Sequence, residues 1–290
     1  MKKGILLIAT GHAYYGRMAY NLALTIKAAE IEMPIAIVHD AQALSHLTQE
    51  QQTIFDRLIV APAVRGKGME AAMELRLMMP KLTPFEETLS LDADMAWLPE
   101  MQASPLFELL REQDITYVNE GYYDLDTNTS HFTNGYLGWA QPQDIKAAYD
   151  LKGKLYAMRG ELILFKKNAA VAKVFSNAAR IRKKPLLQPQ TLGGAITEEF
   201  ALNIAINQAG LEPHLAGWQP TYWPLMHGNA VPTIAALKDE GYYALSVGGN
   251  TTGADVKRIY EIILKAACGA GVKGFPLGMK RNWAVERREV

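Results

Sequence analysis

A single cysteine, Cys268, excludes an intramolecular disulfide, and a thiolate zinc site built on it would need histidine or carboxylate help. Neither sign of charge is in excess, because 30 Lys and Arg residues balance 30 Asp and Glu residues. A molecule-wide field that draws in nucleic acid or an anionic membrane is therefore absent, leaving only local basic patches for such partners. Long apolar runs are also scarce. The run Ile5-Leu6-Leu7-Ile8-Ala9 follows two lysines but stops at Thr10-Gly11-His12, too short for the core of a signal peptide and far short of a bilayer span. It reads as a first buried strand, and the expectation is a cytoplasmic protein with no transmembrane segment. Internal repeats and low-complexity linkers are missing as well. With 49% hydrophobic and 21% charged residues, the chain has ordinary globular usage, which excludes disorder and fibrous architecture.

What is present is an alternation of strand and helix patterns, long enough at 290 residues to bury a sizeable core. Residues 4–9 form a continuous apolar run bounded by glycines, the mark of a strand covered on both faces. Met18, Leu22, Ile26 and Ala29 recur at helical spacing, and 34–40 reads as a second strand. These make a βαβ unit with a right-handed crossover. The pattern continues with a helix near 47–56, a strand at 58–60, a Met-rich helix over 67–79 and strands at 87–91 and 115–118. A polar loop from Tyr122 to Thr133 follows, then strands at 136–139 and 161–166, each leading to a helix, 142–149 and 168–179. Thr197-Glu198-Glu199 reads as the cap and acidic first turn of a helix through Phe200, Leu202, Ile204 and Ala205. The expectation is one mixed α/β domain over 1–290, divided into a nucleotide-binding half, 1–119, and an acceptor-binding half, 120–290.

The segment Thr88-Leu89-Ser90-Leu91-Asp92-Ala93-Asp94-Met95 carries the most chemistry: an apolar strand ends on two carboxylates one residue apart. A hard divalent cation needs anionic oxygens close together, and a strand end supplies them where side chains face open solvent. Aspartate also favours turns through bonds to its own backbone. The nucleotide-binding pattern upstream favours the functional reading, in which Mn²⁺ or Mg²⁺ helps to handle a diphosphate.

Other candidates surround this pair. The loop Thr10-Gly11-His12-Ala13-Tyr14-Tyr15-Gly16 lies where open α/β sheets bind ligands. It lacks the glycine spacing of a dinucleotide fingerprint and the Gly-Lys-Ser/Thr ending of a P-loop, so ordinary NAD and ATP readings weaken. Thr10, Gly11, His12 and Tyr14 remain as nucleotide contacts, with Tyr14 either stacking on a base or packing in the fold. Asp40 ends the second strand, as a partner for base or ribose or as a turn residue. Of Arg76 and Lys81, one is expected to offset diphosphate charge. Late in the chain, Gly228 permits close backbone approach to phosphate. Its neighbour His227, if folded back on Asp92 and Asp94, completes a three-ligand site with positions left for phosphate oxygens.

Four segments together resemble the nucleotide-sugar glycosyltransferases of the GT-A fold, most closely the family 8-like group of glycogenin and bacterial galactosyltransferases. They are Ile5–Gly11, the LTPFEETLSLDADM stretch Leu82–Met95, the ELILFKK stretch Glu161–Lys167, and the EEFALNIA stretch Glu198–Ala205. The resemblance implies a Rossmann-like mixed sheet flanked by helices and a nucleoside-diphosphate sugar, a UDP-sugar, as donor. It further implies that Asp92 bridges ribose and metal, that Asp94 binds metal and leans toward the donor sugar, and that His227 is the late metal ligand. Glu198 and Glu199 match the acidic position that faces sugar or acceptor. Two departures stand out. Met158-Arg159-Gly160 replaces the usual Asn-Ser/Ala-Gly, and Gly228 follows His227 directly, leaving Lys257 as a distant substitute for the late lysine.

Family resemblance implies retention of anomeric configuration, whereas inversion calls for Glu198 or Glu199 as general base. A sugar-phosphate nucleotidyltransferase is a second reading, but Gly11–Arg17 is a poor match to the Gly-rich triphosphate loop it needs. A non-catalytic binding protein on the same scaffold is a third. Acceptor glycan, lipid-linked sugar, protein and modified nucleic-acid base all remain open, through the loop Tyr122–Thr133 or the basic residues Lys280, Arg281, Arg287 and Arg288.

Overall fold

The computed structural model describes residues 2–64, 68–132, 139–191, 194–214, 218–248, 254–268 and 274–275. Ten strands run through them: β1 (Lys3–Ala9), β2 (Ile35–His39), β3 (Arg57–Val60), β4 (Glu87–Asp92), β5 (Met95–Trp97), β6 (Ile115–Asp124), β7 (Thr129–Phe132), β8 (Lys154–Lys166), β9 (Thr221–Tyr222) and β10 (Ala244–Ser246). Seven form the main sheet in the order β3-β2-β1-β4-β8-β6-β7. The first four are parallel; β8 then pairs antiparallel with β4 and with β6. The short strands β5, β10 and β9 form a second sheet.

The continuous apolar character of β1 follows from its central place. Ile5, Leu7 and Ala9 pack with the helix Ala13–Ala29 on one face, while Leu6 joins Phe85, Tyr117 and Phe165 on the other. Ile5, Leu6 and Leu7 are fully buried, worth about 1.5–3 kcal/mol each. Gly4 is required where Phe85 crosses the strand, since a Cβ there would lie 2.4 Å from the ring. Helix Glu198–Gln208 begins as its sequence indicates, with Thr197 accepting from the Phe200 amide. Its polar start leads into a mainly apolar stretch that packs on β8 and the helix Ala169–Lys183, with the buried Asn203 accepting from the Met158 amide of β8 at 3.2 Å.

Several elements differ from the sequence expectations. In place of one helix near 47–56 there are two short ones, Ala41–Leu44 and Gln49–Gln52, because Asp40 caps the first and Thr48 forms a capping box with Gln51. The helix expected over 67–79 is Met69–Arg76; a separate turn, Met79–Leu82, then starts around Pro80, which has no N–H to continue a helix. The polar loop expected over Tyr122–Thr133 is a hairpin as far as the described residues run, with β6 and β7 paired from Gly121–Phe132 to Asp124–Thr129. The expected strand at 136–139 falls mainly outside the described residues. No helix among the described residues is long and apolar enough to cross a membrane.

Candidate functional site

Strand order reverses at β1, whose neighbours β2 and β4 lie on opposite sides. The crevice outside the carboxyl ends of β1 and β4 is where such sheets receive ligands. Thr10 and Gly11 leave β1 there, and Asp92, paired in register with Ile8, ends β4 beside them.

On the β1 side, the Thr10 hydroxyl is buried without a hydrogen-bond partner, an arrangement that costs about 1–3 kcal/mol unless something bonds it. Gly11 has φ +80°, and its amide donates to Asp40 Oδ2 at 2.6 Å. Asp40 Oδ1 accepts from the Ala43 amide at 2.7 Å, so this carboxylate shapes the loop from both oxygens. His12 caps the helix Ala13–Ala29, its Nδ1 accepting from the Tyr14 amide at 3.0 Å. Tyr14 sits edge-on to Tyr15 at 5.9 Å.

On the β4 side the side chains form a charged knot. Arg76, the last residue of its helix, pairs with Asp92 through Nη2 and with Glu198 through Nη1. Gly160 of β8 lies against this group: its amide donates to Glu199 Oε1 at 2.7 Å. A Cβ on Gly160 would lie 2.9 Å from Arg76 Nη1, 3.2 Å from Glu198 Oε1 and 3.4 Å from Glu199 Oε1. Burial opposes the charge on Arg76, but Glu198, Glu199 and Asp94 outweigh it and its pKa is raised. Burial and the neighbouring Glu198 push Glu199 up to about 8, against the opposing influence of the Gly160 amide and Arg76. At neutral pH Glu199 is therefore mainly a neutral acid, able to donate a hydrogen bond.

The chain then turns at Asp94 into β5. Strand β10 pairs antiparallel with β5, Ser246 opposite Met95, and the Val247 amide donates to the Asp94 carbonyl at 2.9 Å. Gly248 lies directly against the Asp94 carboxylate, where a Cβ would stand 3.0 Å from Oδ2. Trp223 Nε1 donates to the Gly248 carbonyl at 3.3 Å, and the Arg159 guanidinium stands 5.6 Å from the Trp223 ring centroid. Arg159 is held by Glu120 at 3.5 Å and Glu161 at 2.9 Å, and Glu161 also accepts from the Thr221 hydroxyl. Burial raises the pKa of Glu120. Between Tyr117 and Val118 the β6–β8 register shifts, an irregularity at the point where Arg159, Gly160 and Glu161 must face different partners.

The fold thus brings Asp92, Arg76, Glu198 and Glu199 together, with Asp94 beside them. Lys81 is exposed on the following turn, whose neighbours Met79 and Thr83 touch Ser90 and Thr88 in the body of β4. None of its described contacts joins it to the Asp pair. His227 ends the turn Pro224–His227, is exposed, and stacks on Tyr222 at 4.5 Å, and none of its described contacts joins it to the Asp pair either. Gly228 follows it with φ +63°, closing that turn through the Asn229 amide to Pro224. Among the described residues no three His, Cys, Asp or Glu side chains are grouped to hold a metal ion. Lys257 forms a surface pair with Glu261 at 3.9 Å. Sequence reading marked Gly160 only as part of the Met158-Arg159-Gly160 departure and overlooked Glu120, Trp223 and Gly248; the Arg-Gly-Glu triplet that interrupts the apolar residues of β8 was the available signal.

No protein-family profile matches the sequence, and no curated protein matches it. Solved structures do. The galactosyltransferase LgtC, solved with donor and acceptor sugar analogs, matches with TM-score 0.55 and 12% identity over 91% of this chain and 95% of its own. An active-site mutant of LgtC matches with TM-score 0.54 and 11% identity over the same shares, 91% and 95%. The bifunctional glycosyltransferase WbbM, in its apo form, matches with TM-score 0.55 and 12% identity over 99% of this chain but 51% of that longer one. The fold is that of GT-A glycosyltransferases, a mixed sheet flanked by helices.

Proposed function

We propose that this chain is a glycosyltransferase that takes a sugar from a nucleoside-diphosphate sugar, a UDP-sugar, and passes it to a hydroxylic acceptor with retention of configuration. The supporting observation is the placement of Asp92 and Asp94 at the end of β4, in the crevice beside β1, with Arg76 and the Glu198–Glu199 helix start against them. In this reading residues 1–119 bind the nucleotide and 120–290 the acceptor, and the protein works in the cytoplasm.

The nucleotide lies along the end of β1, where the unpartnered Thr10 hydroxyl awaits a polar group. The donor set fits a hard cation: Asp92 and Asp94 would hold Mn²⁺ or Mg²⁺, whose remaining positions suit phosphate oxygens and water. Such an ion supplies Lewis-acid stabilisation of the departing diphosphate. Arg76 stays charged and fixes Glu198. Glu199, whose pKa burial and the neighbouring Glu198 push up to about 8, donates to a sugar oxygen rather than acting as a free base. With Glu198 committed to Arg76, neither carboxyl is poised to deprotonate an acceptor, which supports retention over inversion.

Thermal melts with UDP-, GDP- and ADP-sugars plus Mn²⁺, followed by nucleotide-release assays with glycan, lipid-linked sugar, protein and modified nucleic-acid acceptors, test the reading. At least one donor should stabilise the protein, and Asp94→Asn should lose most turnover while keeping the fold. No stabilisation by any donor, or near-normal transfer by Asp94→Asn, refutes it.

A further inference from the structure

Asp94 lies between two sheets: β4 ends at Asp92 in the large one, and β5 begins at Met95 in the small one. Where its carboxylate stands relative to Asp92 therefore depends on how the small sheet is fastened to the large. One segment of β8, Arg159-Gly160-Glu161, makes contacts in both directions. The Gly160 amide holds Glu199 beside Arg76 and so serves the Asp92 side. Its two neighbours reach the other way. Glu161 accepts from the Thr221 hydroxyl in β9, and the Arg159 guanidinium lies against the ring of Trp223, the residue that follows β9.

Trp223 is where this attachment meets the site. Its indole N–H donates to the Gly248 carbonyl at 3.3 Å, and a Cβ on Gly248 would stand 3.0 Å from Asp94 Oδ2. The guanidinium on the other side of the indole is itself anchored. It is nearly buried, with Glu120 at 3.5 Å and Glu161 at 2.9 Å, and it stands 5.6 Å from the Trp223 ring centroid, within the range of a cation–π contact. Such a contact is stronger for a desolvated charge than for a surface one.

We propose, taking Asp94 as the donor-side carboxylate of the reading above, that Arg159 is a positioning residue. It fixes the Trp223 indole, the indole fixes the Gly248 carbonyl, and Gly248 sets how closely the chain beyond β10 approaches the Asp94 carboxylate. Arg159 acts through Trp223 rather than by touching the reacting groups. A small side chain at 159 would leave the indole without this support, which gives the Met158-Arg159-Gly160 departure a role.

The whole protein is labelled with 5-fluorotryptophan, and the Trp223 signal among its five tryptophans is identified by its loss in Trp223→Phe. In metal-free protein, Asp94→Asn and Arg159→Met should each move that fluorine resonance. Calorimetry with Mn²⁺ and UDP, GDP, CDP or ADP gives a second readout. Trp223→Phe keeps a ring beside Arg159 but loses the N–H. It should weaken binding of the nucleotide that the wild type takes by about two- to tenfold, the worth of one hydrogen bond. Arg159→Met should weaken it by a similar factor, and the double variant by no more than the larger single loss. A Trp223 resonance unmoved by Asp94→Asn, unchanged affinity in Trp223→Phe, or losses that multiply in the double variant overturns the inference and leaves the donor reading standing. Binding of none of the four nucleotides by the wild type refutes the donor reading, and the fluorine resonance then decides the inference alone. Should Arg159→Met not fold, because it strips Glu120 and Glu161 of their counter-charge, Trp223→Phe and Asp94→Asn carry the test.

Discussion

Gly160→Ala is the smallest change that addresses the charged knot. The added methyl would stand 2.9 Å from Arg76 Nη1 and 3.2 Å from Glu198 Oε1. An ordinary contact begins near 3.4 Å, so the guanidinium must retreat by roughly half an ångström. A lone arginine on a surface would do so at little cost. Arg76 is held at two points, by Asp92 and by Glu198, and the Gly160 amide is itself committed to Glu199 at 2.7 Å. Retreat therefore loosens one charged pair or the amide bond, an overpacking cost of about 1–3 kcal/mol. A misplacement of about 1 Å at a reacting centre lowers rate by about 100-fold, so a shift of half that size is expected to lower kcat/KM by about tenfold or more. Nucleotide-release kinetics and a melting curve of the same preparation are the assays. Wild-type kcat/KM in a normally folded Gly160→Ala protein would show that the knot does not set the geometry of transfer.

Arg76→Met leaves Glu198 buried without its counter-charge, and stability should fall by about 3–5 kcal/mol by chemical denaturation; Arg76→Met with Glu198→Leu should recover much of it. A single variant as stable as the double would show that the pair is not a buried dependency. Because Glu199 holds its proton up to about pH 8 in the folded state and releases it near 4.5 when unfolded, stability should decline as pH rises from about 4.5 toward 8. Transfer should fall through an apparent pKa near 8, and Glu199→Gln should remove both effects while keeping activity at neutral pH; an unchanged pH profile in that variant assigns the break elsewhere. Gly248→Ala places a methyl 3.0 Å from Asp94 Oδ2 and should weaken nucleotide–Mn²⁺ binding by about tenfold in calorimetry, with unchanged affinity as the refuting result.

The central strands were readable in the sequence because burial on both faces leaves unbroken apolar runs in β1 and β2, while in β4 Leu89 and Leu91 alternate with the small buried Thr88 and Ser90. The helix Glu198–Gln208 was readable from Thr197 and its acidic first turn. Strands β5, β9 and β10, of two or three residues each, are too short to show a period. The hairpin β6–β7 was hidden because its tip is polar on both faces and lacks hydrophobic alternation. At the site, Asp92 and Asp94 announced themselves by proximity in sequence. Arg76 and Glu198 meet across 122 residues, and nothing local to either marks the other as its partner. For His227, chemical type suggested a ligand, while the chain path put its ring on Tyr222.

The pairing of Ser246 with Met95 also orders events during synthesis. The Asp pair leaves the ribosome early, yet the strand that holds the Asp94 carbonyl is made about 150 residues later, roughly 8–30 s at ordinary elongation rates. Until β10 emerges, β5 lacks its hydrogen-bonded neighbour and Asp94 lacks the backbone that Gly248 lays against it. A nascent chain arrested before residue 244 can pair β1 to β4 but leaves the Asp94 side of the crevice without its neighbour, so the crevice is completed by residues 244–248 rather than by the residues that carry the charge.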